Sequence, residues 1–280
     1  MHEASALLMK AGLTVLFCLG LAVAAFSQTN DNGGLTSQQV AAKSLAAYAA
    51  LTGYSDTGRT VESKNGQTNT TTFSIQMQRT NLFKVHWVQT GGSQTNDGTW
   101  WDDGHPPFMP EDTYLLANTN GQPANEQPQV IPYSFISDDD VPGEAATVPL
   151  IFFKPDKDSY YPNILAGIVS GRYNSGQSKT ELSDGKIDGV DCQVISITIT
   201  DFSILQRGRK VLRLWIGKPD YLLRQIQSVS EKPDSSMTQT HENISLNPKF
   251  SADDFVVKLP EHNSSIDLPG TPPARIPGFN

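Results

Sequence analysis

The sequence predicts a mainly β domain: a curved antiparallel sheet with a few helices over one face. Three observations predict it. Residues 211–229 form a hairpin pattern, with Leu212, Leu214 and Ile216 alternating with Val211, Arg213 and Trp215. The loop Gly217, Lys218, Pro219 and Asp220 supplies turn chemistry, and Leu222, Arg224 and Ile226 then alternate with Leu223, Gln225 and Gln227. Second, short period-2 runs recur on both sides of this hairpin. Third, helical spacing is confined to one stretch near the start and two short apolar clusters in the middle. A strand-rich meander with few helices covers one face of its sheet with those helices.

The chain has 280 residues and a formal net charge of −8. That balance argues against nucleic acid as a partner. Residues 1–27 read as a signal peptide. Lys10 precedes an apolar run from Ala11 to Phe26, and Ala25 and Ser27 sit at the −3 and −1 positions of a cleavage before Gln28. Phe17 before Cys18 does not suit a lipobox, so a soluble exported protein is expected. Cleavage removes Cys18 and leaves Cys192 as the one remaining cysteine, so no intramolecular disulfide is expected.

Residues 28–35 read as a flexible leader. A helix follows: Thr36 is placed to N-cap it, with Gln39 completing a capping box. Val40, Ser44, Leu45, Tyr48 and Leu51 form its apolar stripe, and Gly53 is expected to end it as the C′ residue. Strands are expected at 72–79, with Phe73, Ile75, Met77 and Arg79 on one face, and at 82–89, with Phe83, Val85 and Trp87 together. A turn at Gly91, Gly92 and Ser93 leads to a strand over 94–101. Residues 104–147 contain several prolines and little periodicity, which reads as an irregular lid or loop. Residues 148–170 read as short broken helices. Strands resume near Ser178, with turns at Asp184–Gly185 and Asp188–Gly189. They continue over 190–200, where Ile195, Ile197 and Ile199 share a face, then over 211–229, 237–246 and 254–259. Residues 261–280 read as a disordered tail.

Chemistry-bearing residues are sparse. Ser183 and Lys186 match Ser-x-x-Lys but fall in an expected turn, not on a helix. His86, His105 and His241 lack metal-ligand spacing to each other or to Cys192, and His241 with Glu242 is expected on the surface of a strand. Asp138, Asp139, Asp140 and Glu144 suit a solvated loop better than a cation site. Of Trp100 and Trp101, only one is expected on a given face. No nucleophile, base and oxyanion set assembles, so the chain is read as a non-enzyme without cofactor or metal.

Residues 78–87, Gln-Arg-Thr-Asn-Leu-Phe-Lys-Val-His-Trp, resemble the Arg-Pro-x-x-Phe strand junction of the LolA/LolB-like lipoprotein carriers. The leading helix running into Tyr54, the hairpin at 215–224 and the closing Ser-Ala-Asp-Asp-Phe-Val-Val-Lys-Leu-Pro segment fit the same superfamily. Thr80 stands where the family has proline. The resemblance covers roughly residues 36–260 and implies an unclosed half β-barrel whose concave apolar face is covered by helices, with 104–170 as the cover. It implies a periplasmic carrier of acyl chains of lipoproteins or other amphiphiles, exchanging with an inner-membrane donor and an outer-membrane acceptor. Phe73, Ile75, Met77, Phe83, Trp87, Trp100, Leu150 and Phe152 are then the trough, and Arg79 holds the cover by bonding to carbonyls within 104–170. The alternative is that the same residues form a closed core, and the resemblance favours the trough. The second reading is a cell-envelope binding or signalling module without lipid cargo.

Overall fold

The computed structural model describes residues 34–79, 81–91, 94–104, 112–119, 122–123, 128–132, 141–142, 145–153, 164–174, 176, 178–202, 207–231 and 234–257. The expected signal peptide and tail, most of the leader, His105 and the acidic run at 138–140 with Glu144 lie outside them.

Helix α1 spans Ser37–Ala50. The capping box forms as expected: the Gln39 N–H donates to Thr36 Oγ1 at 3.2 Å, and the Thr36 N–H donates to Gln39 Oε1 at 2.8 Å. Val40, Ala41, Ser44 and Tyr48 form the buried stripe. The helix does not end on a glycine cap. Leu51 is its extended C-cap (φ −73°, ψ 137°), and Gly53 already opens the first strand. The Asn247 side-chain oxygen secures this exit by accepting the Thr52 N–H at 2.8 Å.

The first meander runs through β1 (Gly53–Lys64), β2 (Gln67–Gln78), β3 (Leu82–Gly91) and β4 (Gln94–Asp102). Antiparallel register sets Phe73 opposite Trp87, Ile75 opposite Val85, Met77 opposite Phe83, and Val85 opposite Trp100. These side chains line the buried face, while His86 on the other face is exposed. Both Trp100 and Trp101 are buried, on opposite faces. Trp101 is covered from outside by Tyr114, stacked at 5.3 Å.

The insert differs from the irregular segment expected. It carries β5 (Asp112–Thr119), β6 (Gln122–Pro123) and β7 (Gln129–Pro132), which extend the sheet beyond β4. Pro123 and Pro132 sit in short strands at that edge, where a missing N–H breaks no interior ladder. Two short helices then form as expected, α2 (Thr147–Phe153) and α3 (Ile164–Val169). Pro149 falls in the first turn of α2, where its N–H is not required.

The second meander comprises β8 (Ser178–Ile187), β9 (Val190–Phe202), β10 (Arg207–Gly217), β11 (Leu223–Ser230) and β12 (Ser235–Leu246). β8 runs straight through Asp184 and Gly185, where a turn was expected. A Cβ on Gly185 would meet Val194 Cγ2 at 2.6 Å, so the glycine serves close packing there. The turn is at Asp188 and Gly189, both left-handed (φ 48° and 82°). Ser183 and Lys186 therefore lie three apart on one strand and point to opposite faces, which separates the Ser-x-x-Lys pair.

The 211–229 hairpin forms with one irregularity. Trp215 pairs with Gln225 and Ile216 with Leu223, so Arg224 is the extra residue of a bulge. Leu222 and Leu223 are consequently both buried, rather than alternating. The last expected strand, 254–259, is instead a 3-10 turn, Ala252–Phe255, within its described part. Asp254 closes that turn by accepting the Ser251 N–H at 2.7 Å, and Phe255 is buried.

The two meanders join through β1 and β12, giving the order β6-β5-β4-β3-β2-β1-β12-β11-β10-β9-β8, with β7 also on β5. All these pairs are antiparallel, and the two ends of the path do not pair with each other. The sheet is therefore open, an unclosed β-barrel with few helices. Its apolar face and the three helices share one core.

Candidate ligand-binding site

Phe73, Ile75, Met77, Phe83, Trp87 and Trp100 lie together on the inner face of β2–β4, and Phe152 reaches them from α2. Each is at most 4% exposed. Leu150 lies within α2. The aromatic packing is continuous from sheet to cover: Phe83 meets Trp100 at 4.5 Å and Phe153 at 5.7 Å, and Phe153 meets Phe152 at 4.8 Å. Trp100 satisfies its indole by donating to Thr113 Oγ1 at 2.8 Å.

Arg79 follows β2 directly and turns toward the cover. Its guanidinium stacks over Phe152 at 4.0 Å and Phe153 at 5.8 Å from the ring centroids. Its N–H groups donate to the Tyr48 carbonyl (3.2 Å) and the Leu51 carbonyl (3.4 Å). Contact with the expected 104–170 cover is thus made by stacking on α2, while these carbonyls belong to the C-terminal end of α1. That end carries unsatisfied carbonyls and partial negative charge, which suits a guanidinium.

The inner face is not uniformly apolar. His241, expected on the surface, is buried with Asp56, and the two side chains are fully enclosed. His241 Nδ1 lies 2.6 Å from Asp56 Oδ2, and the Tyr54 hydroxyl donates to the same oxygen at 2.6 Å. Tyr48 Oη accepts the Leu223 N–H at 3.3 Å. Burial pushes the Tyr48 and Tyr54 hydroxyls well above their usual pKa. The bulge that builds this pole is on β12, where Asn243 takes a left-handed backbone (φ 52°) and the register shifts between Ser55 and Thr57. Asp56 and His241 are 185 positions apart, so spacing gave no signal. Alternation on β12, with Gln239 and His241 sharing a buried face, is the one clue the sequence held.

Cys192 is buried, and burial raises its thiol pKa, consistent with the small hydrophobe expected. Among the described residues, no group of three or more metal-ligating side chains is present, and no helix is long and apolar enough to cross a membrane.

No protein-family model matches the chain, and no curated protein does. Among solved structures it is similar to the MucA/MucB complex of Pseudomonas aeruginosa, at 10% identity over 79% of this chain and 61% of that chain, with a TM-score of 0.39. The chain thus spans about three fifths of the length of that relative. It is also similar to LprF from Mycobacterium bovis, at 13% identity over 77% of this chain and 95% of that one, TM-score 0.42. A LolA superfamily protein from Nitrosomonas europaea shows 11% identity over 80% and 99% of the two chains, TM-score 0.29.

Proposed function

We propose that the protein is a non-enzymatic periplasmic carrier or sensor that takes the acyl chain of a lipoprotein or another amphiphile between the inner face of its sheet and the helical cover. One observation carries this reading. The apolar face of an open sheet is closed not by a second sheet but by helices, two of which have only 7 and 6 residues. Such a cover is held largely by tertiary contacts, because helices this short have little stability of their own. Arg79 ties the covering elements together, and parting them exposes Phe73, Ile75, Met77, Phe83, Trp87 and Trp100. Each acyl methylene buried there contributes about 0.8 kcal/mol, so ten offset roughly 8 kcal/mol of lost cover contacts.

The tight packing of the same residues favours a second reading, a cell-envelope binding or signalling module with a permanently closed core. A fluorescent long-chain fatty acid separates the two. Under the carrier reading it binds saturably, lysolipid displaces it, and Phe152→Ala, which removes a ring from the cover, tightens uptake. A folded wild type and a folded Phe152→Ala that both fail to bind would establish the closed module instead.

A further inference from the structure

The inner face of the sheet changes character along its strands. Residues directly opposite on paired strands share a face, with Cβ atoms about 5 Å apart, so the register divides this face into cross-strand rows. The row nearest Arg79 is Tyr54, Met77 and Phe83. Two rows on, Gly58, Phe73 and Trp87 are level with His241. The next row is polar: Thr60, Thr71, Gln89 and Gln239, with Gln89 Nε2 donating to Thr71 Oγ1 at 3.4 Å. The row after that sets Glu62 opposite both Asn69 and Met237, and Met237 opposite Ser228. Here the face opens into a cleft of about 540 Å³, completed by the last row, Lys64, Gln67 and Ser235, and by the turn at Asn65. That volume is within the size range of small-molecule sites. Phe73 and Asn69 lie on the same face of β2, about 13 Å apart at about 3.3 Å per residue.

Glu62 is partly buried in this cleft. Burial raises its pKa, and no neighbouring charge or hydrogen bond offsets that among the described residues. Lys64 is exposed at the rim. The other polar groups are uncharged amides and hydroxyls, Gln67, Asn69, Ser228 and Ser235 among them, each able to donate and to accept. A ligand hydroxyl has the same double capacity: it donates to the Glu62 carboxylate and accepts from an amide N–H. An anionic head would bring a second negative charge beside a carboxylate that water screens poorly. An ammonium head would meet Lys64 and leave the amide N–H donors unanswered. We infer that the trough takes its amphiphile in one orientation, with the acyl chain toward Arg79 and an uncharged head carrying neighbouring hydroxyls, as in glycerol or a sugar, in the cleft at Glu62. This rests on the carrier reading and deepens it by naming the head group. Arg79 ties α1 and α2 together at the other end of β2. The chain then lies under the cover while its head stays in a cleft open to water.

Displacement of a fluorescent long-chain fatty acid tests the inference, using three competitors of one chain length: a monoacylglycerol, the free fatty acid, and its methyl ester, which has no hydroxyl donor. The monoacylglycerol should compete about tenfold more strongly than either of the others. Glu62→Gln, at a partly exposed position near a strand end, should keep its near-UV circular dichroism. It should bind the monoacylglycerol about fivefold more weakly and the fatty acid as well as wild type or better. A merely structural role for Glu62 would weaken both alike. A matched alkyl glucoside assigns the source: stronger competition than the monoacylglycerol marks a sugar head, weaker competition a glycerol head. Equal competition by the three, tighter binding of a long-chain amine, or an unchanged preference in Glu62→Gln would overturn the head site, while fatty-acid binding in the same assay would leave the trough standing. Binding of none of these amphiphiles would overturn the trough and the head site together.

Discussion

Asp56 gathers the polar groups of the core around one carboxylate. Its Oδ2 accepts a hydrogen bond from the Tyr54 hydroxyl at 2.6 Å and lies 2.6 Å from His241 Nδ1, in a place that water does not reach. Asp56→Ala leaves those two buried groups without their partner, and a buried polar group left unsatisfied costs about 1–3 kcal/mol. A loss of about 3 kcal/mol is expected, read as a lower urea midpoint at an unchanged slope. The two tyrosines give a pH signature. Burial raises both hydroxyls above the usual value of 10.0. A raised folded pKa means stability that is fully present below about pH 10 and lost as pH rises toward the folded values. Alkaline titration should therefore show tyrosinate absorbance from Tyr48 and Tyr54 only together with loss of near-UV circular dichroism. Ionisation of either in a folded protein near pH 10 would refute their burial. Beyond the shared face of Gln239 and His241, none of this was legible from the residues alone. A His-Glu pair in an alternating run reads as solvent-facing until the strand opposite is known, and here that strand lies at the other end of the domain.

At the level of elements, Arg79 is where sheet, α1 and α2 meet. Arg79→Leu removes two carbonyl bonds and a guanidinium stack while leaving β2 and β3 paired. Backbone amides of α2 and the last turn of α1 should exchange at least tenfold faster, with β2 and β3 amides unchanged, and bound fatty acid should leave faster. Uniform acceleration across the sheet would instead mark Arg79 as a general stability residue. The β1–β12 seam has its own tight point at Gly58. A Cβ there would meet a Phe73 ring carbon at 2.2 Å and the Thr240 carbonyl oxygen at 2.5 Å. Gly58→Ala should cost about 1–3 kcal/mol through overpacking, measured by thermal melts. Elements with strong local signals were legible: the Thr36 capping box, the alternation of β2 and β3, and the β-branched run of β9. The proline-rich insert was not, because Pro123 and Pro132 are compatible with edge strands, and whether a strand lies at an edge is a property of the whole sheet. Leu222 and Leu223 misled for a related reason, since the bulge at Arg224 is fixed by pairing with β10.

For the whole molecule, two consecutive meanders share a single seam between the first and last strands. Local patterns identify each meander, but the β1–β12 pairing joins residues such as Tyr54 and Leu246 and leaves no periodic trace. The resemblance around Arg79 supplied the open sheet and its helical cover. The inner-face residues followed from alternation, and the polar pole within that face did not. The central claim is that this face parts from its cover to hold an acyl chain. Photolysis with a diazirine-bearing long-chain fatty acid, followed by peptide mapping, tests it most directly. The account predicts labels on Phe73, Ile75, Met77, Trp87, Trp100 or Phe152, suppressed by excess lysolipid. Labels confined to the outer face around Thr72 and His86, or no competed label at all, would contradict it.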